Sequence, residues 1–318
     1  MSTAMSTAPD VVVLAGGISH ERDISLRSGR RVADALTGFG WHVRVLDSDA
    51  RLLPSLLERR PDVVWPALHG ASGEDGTLRS FFDATGLTYV GSRGAAARLA
   101  WDKPAAKRLI GQAGGATPPW LSMTRDVFRE VGAQAAIDLI GTAFPEPVVK
   151  PARGGSAQGV TIVRDSNRLP RALMDAFTYG DELLVEERVD GTEIAVSVLE
   201  DDDGVHALPA VEIVPTGGVY GFEERYNAGE TRFYTPARIA ESAATAAAEL
   251  AVLAHRVLGL RHLSRIDLIV DASGSPWFLE AQVSPGLTET SLLPQSLIAS
   301  GGDLGQAYAA LASRALAD

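Results

Sequence analysis

The sequence predicts an α/β protein that takes on α+β character in its C-terminal part. Three observations carry this: in the first third, apolar runs closed by glycines alternate with helical stretches; beyond about residue 97 strand pairs with short turns replace that alternation; and no internal repeat interrupts the pattern.

Taken in order, "DVVVLAGG" is an apolar strand stopped by glycines, "ISLRSGRRVADALTGFG" a helix ending in glycine, and "WHVRVLD" the next strand. "DVVWPALHG", "GTLRSFFDATGL" and "TYVGS" repeat strand, helix and strand. Such βαβ order implies a parallel sheet covered by helices, with ligands at the carboxyl ends of the strands. The loops "LAGGISHE" and "LHGASGEDG" are therefore expected side by side. Next come a helix over "AAKRLIGQAGG", a turn at "TPPW", a helix around 127–143, and the strand–loop–strand unit "PVVKPARGGSAQGVTIVRD". A helix at "LPRALMDAF" and strands "ELLVEERV" and "EIAVSVLE" follow, then a hairpin turn at "EDDDG" and the strand "ALPAVEIVP". Residues 216–236 read as one long polar and aromatic loop, of a length often found in lids. An alanine-rich helix near 240–258, the strands "SRIDLIV" and "WFLEAQV", and terminal helices complete the chain.

With 318 residues, 46% of them hydrophobic and 22% charged, the chain is long enough for two or three domains around real cores. A net charge of -11 offers no basic field for a nucleic acid or an anionic membrane, although small anions can still bind locally. The absence of cysteine removes disulfides and thiolate metal sites and is compatible with a reducing compartment. The polar start "MSTAMSTAPD" lacks the regions of a signal peptide, and no apolar run approaches the ~20 residues of a membrane helix. A cytoplasmic protein is expected.

Between "SRIDLIV" and "WFLEAQV", a two-residue turn at Ser273-Gly274 would set Asp267 opposite Glu280 and Arg265 opposite Gln282 on one side of a hairpin. Directly opposed side chains lie about 4.5–5.5 Å apart, where two buried carboxylates repel unless a positive group sits between them. Magnesium, which takes oxygen ligands from one or two carboxylates plus substrate phosphates, would satisfy the pair, and Gln282 can add an amide oxygen. An acidic pair on a solvated edge, or one carboxylate tied up by Arg265, is the alternative.

"KPARGGSAQG" places three glycines between two strands, so its backbone N–H groups can approach a phosphate, although a flexible hairpin tip would look the same. Lys150 ends the apolar strand before it. Lys103 precedes a proline suited to a helix's first turn, and so lies near a helix N-terminus, itself an anion site, or on the plain surface.

These segments, in this order and through nearly the whole chain, resemble the D-alanine–D-alanine ligase family of the ATP-grasp superfamily. "LAGGISHERDISLRSG", "PALHGASGEDGTLRSFF", "DKPAAK", "VVKPARGGSAQGV", "LLVEERVDGTEIAVSVL", "RIDLIV" and "FLEAQVSPGLTETSLLP" carry the likeness. The resemblance implies a Rossmann-like N-terminal domain (1–97), a central ATP-grasp subdomain (98–186) and a C-terminal one (187–318). It implies an ATP- and magnesium- or manganese-dependent enzyme, with two ions, that joins two D-alanines through an acyl phosphate for peptidoglycan precursor synthesis, and a homodimer. Carried over residue by residue, Lys103 and Lys150 would hold ATP phosphates. Glu186, Glu187, Val189, Glu193, Arg225 and Leu279 complete the nucleotide site, and Asp267, Glu280 and Gln282 are the metal ligands. Arg265 and the backbone of Gly286 would face the developing oxyanion, and Glu21 would hold the first substrate's ammonium in a group with Ser156 and Tyr226. His69 would lie near the first substrate, and Ser291 with Leu292 would grip the second substrate's carboxylate.

The chain departs from the family pattern in having Gln282 for asparagine, Gly154 and Ala157 for an acidic residue and a serine, Arg225 for a lysine, and Glu187 where lysine is common. Those departures motivate two other readings: a ligase for a different D-amino acid or specialised metabolite, and a non-catalytic ATP-binding homologue. Tyr226 favours an amine acceptor over D-lactate. A nicotinamide enzyme is disfavoured because "LAGGISHE" lacks the G-x-G-x-x-G spacing.

Overall fold

Val11, Val12, Val13 and Leu14 are all fully buried, as an apolar run without alternation predicts for the centre of a parallel sheet covered on both faces. In the computed structural model, which describes residues 8–201, 204–217, 221 and 229–318, that run forms β1 (Asp10–Leu14). It lies between β2 (His42–Leu46) and β3 (Val63–Pro66), all parallel, in the order β2-β1-β3. The helix Arg22–Gly38 packs on β1 so closely that a Cβ at Gly29 would come within 2.4 Å of the Ala15 Cβ. The strand expected at "TYVGS" is reduced to a single parallel bridge between Val64 and Tyr89. Pairing stops there because the next donor on β3 would be Pro66, which has no N–H, while the Gly91 N–H on the other edge donates at 2.8 Å to His262 Nδ1 from the C-terminal part of the chain.

The second sheet is antiparallel and comprises β4 (Trp120–Thr124), β5 (Pro147–Pro151), β6 (Thr161–Ile162) and β7 (Glu182–Glu187), in the order β4-β7-β5-β6. Its core is made with the helix Leu169–Phe177 and with two helices, Arg125–Val131 and Ala133–Ala143. A single helix was expected over those last two. Gly132 breaks it, with φ of +89° that only glycine adopts without strain.

The third sheet is built from β8 (Gly191–Asp201), β9 (Gly204–Ala207), β10 (Val211–Pro215), β11 (Thr231–Tyr234), β12 (Leu263–Asp271) and β13 (Pro276–Gln282). Its order is β11-β10-β8-β12-β13, with β9 also paired to β8. The long loop expected over 216–236 therefore contains a strand, β11, held by pairing Phe233 with Ile213. The helix Glu241–Val257 covers this sheet through Ala247, Ala251 and Ala254, residues small enough to let the helix approach closely. Among the described residues no helix is long and apolar enough to cross a membrane.

The N-terminal sheet does not stand alone. One of its faces shares a core with Leu287, Leu293, Tyr308 and Leu311 from the far end of the chain, and Tyr308 meets Trp65 edge-to-face with ring centroids 5.6 Å apart. That packing holds the loops after β1 and β3 against the segment that follows β13.

Candidate active site

The hairpin between β12 and β13 has three loop residues, not two. The Asp271 N–H donates to the Ser275 carbonyl and the Gly274 N–H to the Asp271 carbonyl, both at 3.0 Å, with Gly274 at φ +85°. This is a tight turn followed by a left-handed residue, and the Asp271 carboxylate braces it by accepting from the N–H groups of Ser273 (2.8 Å) and Ser275 (3.0 Å). A three-residue loop by itself would set Asp267 opposite Leu279. A bulge there adds one residue to β13 and restores the pairs Asp267–Glu280 and Arg265–Gln282. The bulge also lets consecutive side chains, Leu279 and Glu280, line one cleft, which regular alternation forbids.

Protein cations meet both acids, so the alternative in which Arg265 ties up one carboxylate holds in this structure. Arg265 binds Asp267 by two bonds through one edge of its guanidinium, Nε to Oδ1 at 2.7 Å and Nη2 to Oδ2 at 2.8 Å, and Lys103 Nζ lies 3.2 Å from Glu280 Oε2. Lys103 also donates to the Gly154 carbonyl at 2.6 Å, which ties the helix N-terminus to the glycine-rich loop. The surface-lysine reading of Lys103 does not hold, since its side chain is only 8% exposed.

A cleft of about 270 Å³ opens between the second and third sheets, lined by Lys103, Lys150, Glu187, Val189, Glu193, Leu279, Asp267 and Glu280 among others. Glu186 sits on its floor with both oxygens engaged, Oε1 by Lys150 and Oε2 by Lys107 at 2.8 Å. Burial pushes the Glu186 carboxyl up, and Lys107 followed by Lys150 more than offset that, so it stays below the ordinary carboxylate range. Arg225, also expected at this cleft, and Tyr226 lie outside the described residues.

Next to this cleft a second cavity, of about 160 Å³, is lined by Glu21, His69, Ser156, Arg265, Gln282, Gly286, Ser291 and Leu292, together with Ile24 and Phe233. Eight of the expected site residues thus come together from the two ends and the middle of the chain. The Ser156 hydroxyl donates to Glu21 Oε1 at 2.6 Å, bridging the glycine-rich loop to the loop after β1. Ser156 and Ala157 both have left-handed backbones, φ +54° and +55°, a costly conformation for residues with a Cβ and one that clusters at functional loops. His69 is buried, its Nδ1 3.1 Å from the Ser284 carbonyl and its Nε2 3.3 Å from the Ser28 hydroxyl; burial lowers its pKa and keeps the ring neutral. Ser291 precedes the helix Leu292–Ala299 without capping it through its side chain, and instead its Oγ accepts from the Thr288 N–H at 3.0 Å.

Two residues escaped the sequence reading. Lys107 ends the quoted "DKPAAK", four residues beyond Lys103, and shares its buried helix face with Ala106 and Ile110; a lysine on an apolar stripe was the available signal. Glu74, in "GASGEDG", accepts from the Gly70 N–H at 2.9 Å and lines the smaller cavity. Burial first, and then the charge of Glu21, push its pKa up to about 8 from the ordinary 4.5. Between those values the folded protein binds a proton that the unfolded chain has lost, so this group's contribution to stability falls as pH rises from about 4.5 to about 8. Glu74→Gln is expected to flatten that part of the melting-temperature profile, measured by thermal denaturation between pH 5 and pH 8; an unchanged slope would exclude Glu74 as its source.

The geometry agrees with comparisons to known proteins. A family model described as "D-ala D-ala ligase C-terminus" matches residues 109–312. A D-alanine–D-alanine ligase of Anaeromyxobacter sp. (strain Fw109-5) is 41% identical over 317 residues, covering 98% of this chain and 96% of its own. One from Gloeobacter violaceus is 40% identical over 307 residues, covering 96% and 99%. Among solved structures, the VanG D-Ala:D-Ser ligase of Enterococcus faecalis superposes with a TM-score of 0.82 at 27% identity, over 97% of this chain and all (100%) of that one. The ATP complex of a Bacillus anthracis D-alanine–D-alanine ligase shares the fold with a TM-score of 0.82 at 24% identity, over 98% of each chain.

Proposed function

Because the chain belongs to the D-alanine–D-alanine ligase family, we propose that it joins two D-alanines at the expense of ATP, for peptidoglycan precursor synthesis in the cytoplasm. That reading divides the chain into the three units of an ATP-grasp ligase, bounded near residues 97 and 186, a division the presence of three separate sheets supports, and it includes the homodimer that the resemblance implies. One observation carries the reaction: the paired strands β12 and β13 form the wall shared by the two cavities. Asp267 and Glu280 line the larger one, and Arg265 and Gln282, one register step along, line the smaller. A phosphoryl group brought into the cleft is thus delivered beside an amino acid held in the cavity.

Two facing carboxylates with an amide oxygen nearby fit magnesium, a hard ion that completes its shell with substrate phosphates and water. Two carboxylates and one amide would leave most of the ion's coordination positions to substrate phosphates and water. Asp267 and Glu280, with Gln282, would hold the metal, which when bound supplies charge neutralisation for the phosphates. The remaining work falls to this chain's own side chains. Lys103 and Lys150 bind phosphates, Glu187, Val189, Glu193 and Leu279 receive the nucleoside, and Arg225 completes the ATP site in place of the family's lysine. Glu21, fixed by Ser156 and joined by Tyr226, takes the first D-alanine's ammonium. The first D-alanine's carboxylate attacks the terminal phosphoryl group and ADP leaves. The second D-alanine's amine then attacks the acyl phosphate, losing a proton as phosphate leaves, while Arg265 and the Gly286 N–H stabilise the oxyanion. Ser291 and Leu292 hold the second carboxylate, and neutral His69 orients the first substrate.

Incubation with ATP, magnesium and D-alanine is expected to give D-alanyl-D-alanine, ADP and phosphate, with phosphate release rising with D-alanine. Competition between D-alanine, D-serine and D-lactate as acceptors tests substrate class. Phosphate release indifferent to D-alanine, or D-serine as the preferred acceptor, would overturn the proposal.

A further inference from the structure

Lys107 has no direct access to a ligand. Its side chain is 0% exposed, and its ammonium forms an ion pair with Glu186 Oε2 at 2.8 Å and donates to the Thr117 hydroxyl at 2.8 Å and the Phe278 carbonyl at 3.2 Å. Three elements meet in those contacts: the helix Lys103–Gln112, β7 through Glu186, and β13 two residues before Glu280. Glu186 in turn holds Lys150 by its other oxygen. The buried group is therefore one carboxylate shared between two ammonium ions, with a net charge of +1 on the floor of the larger cleft. Were Lys107 neutral, Glu186 would be left to Lys150 alone, and that pair would present no net charge to an incoming anion.

We propose that Lys107 is a positioning residue that sets the cleft's affinity for phosphates: by taking one oxygen of Glu186 it leaves the charge of Lys150 available to the nucleotide's phosphoryl groups. The inference rests on the ATP-binding reading of the cleft and deepens it. Lys107 acts through Glu186 and never touches the nucleotide, so its effect belongs to the phosphates and not to the nucleoside. The pull of burial on the Lys107 ammonium, which brings its pKa down to about 8, is consistent with a charge maintained by Glu186 rather than by solvent.

The test is calorimetric binding of ATP, ADP and adenosine to the full chain and to Lys107→Met, which keeps the length of the side chain without its charge. ATP affinity is expected to fall about 10-fold, about 1.4 kcal/mol, with adenosine affinity unchanged. The double variant Lys107→Met/Glu186→Gln, which removes the carboxylate that would otherwise absorb Lys150, is expected to recover most of the ratio of ATP to adenosine affinity, a ratio that cancels any direct contact of Glu186 with the nucleoside, and also to fold if the single variant does not. Equal weakening of ATP and adenosine, unaltered ATP binding, or an absence of recovery in the double variant would each overturn the inference. Failure of the wild-type chain to bind ATP at all would instead overturn the reading of the cleft.

Discussion

Glu280→Gln is expected to lower the turnover number for dipeptide formation by about 10²–10³-fold or more, because charge neutralisation by a metal is worth several kcal/mol and each ~1.4 kcal/mol is a factor of ten in rate. The substitution keeps the shape of the side chain and its place opposite Asp267. It removes one of two anionic oxygens donors that a hard cation needs, and it also removes the charge facing Lys103 at 3.2 Å. Lys103 keeps its bond to the Gly154 carbonyl, so the glycine-rich loop stays anchored. Activity should be partly restored by raising magnesium, and Mn²⁺ titration followed by electron paramagnetic resonance, in the presence of a non-hydrolysable ATP analogue, should show weaker metal binding. A variant with turnover within about threefold of wild type and unaltered Mn²⁺ affinity would remove Glu280 from the metal site.

Arg265→Met is expected to cost about 10²–10³-fold in kcat, the usual consequence of deleting a preorganised group that faces developing negative charge. Arg265 is placed for this by its grip on Asp267 at 2.7 and 2.8 Å, which aims the guanidinium along the wall of the smaller cavity. Removing it also strands a carboxylate whose side chain is 7% exposed, and breaking a buried pair from one side costs about 3–5 kcal/mol of stability. Arg265→Lys separates the two effects. It restores a charge for Asp267 but not the planar two-bond contact, so the melting temperature should recover while kcat stays low. The KM for ATP should change only a few-fold in both variants, since the guanidinium acts in the transition state. A lysine variant with near wild-type kcat would show that position 265 supplies charge to Asp267 and nothing more.

Local sequence determined a good deal of this. Unbroken apolar runs gave the parallel strands β1 and β3, because residues buried on both faces need no alternation. The glycines after those strands marked the loops that do lie together, with a Cβ on Gly70 only 2.9 Å from that of Ser19. The facing of Asp267 and Glu280 was legible too, although for an incomplete reason: the turn has one more residue than expected and the bulge at Leu279 cancels the difference. The turn is set locally, by Asp271 accepting from the Ser273 and Ser275 N–H groups and by the left-handed Gly274, whereas nothing in the composition of β13 marks the bulge.

Tertiary structure alone decided which charges meet. Lys107 and Glu186, or Glu21 and Ser156, are far apart in the chain, and nothing in their local sequence encodes a distance of 2.8 or 2.6 Å. The same holds for Glu74, an ordinary acid in a glycine-rich loop until the fold strips its water and raises its pKa to about 8. Residue type and spacing determine which elements form and which side chains are candidates, because backbone geometry and apolar periodicity are local. The protonation and pairing of those candidates depend on desolvation and on Coulomb terms between segments, which exist only once the sheets have closed around them.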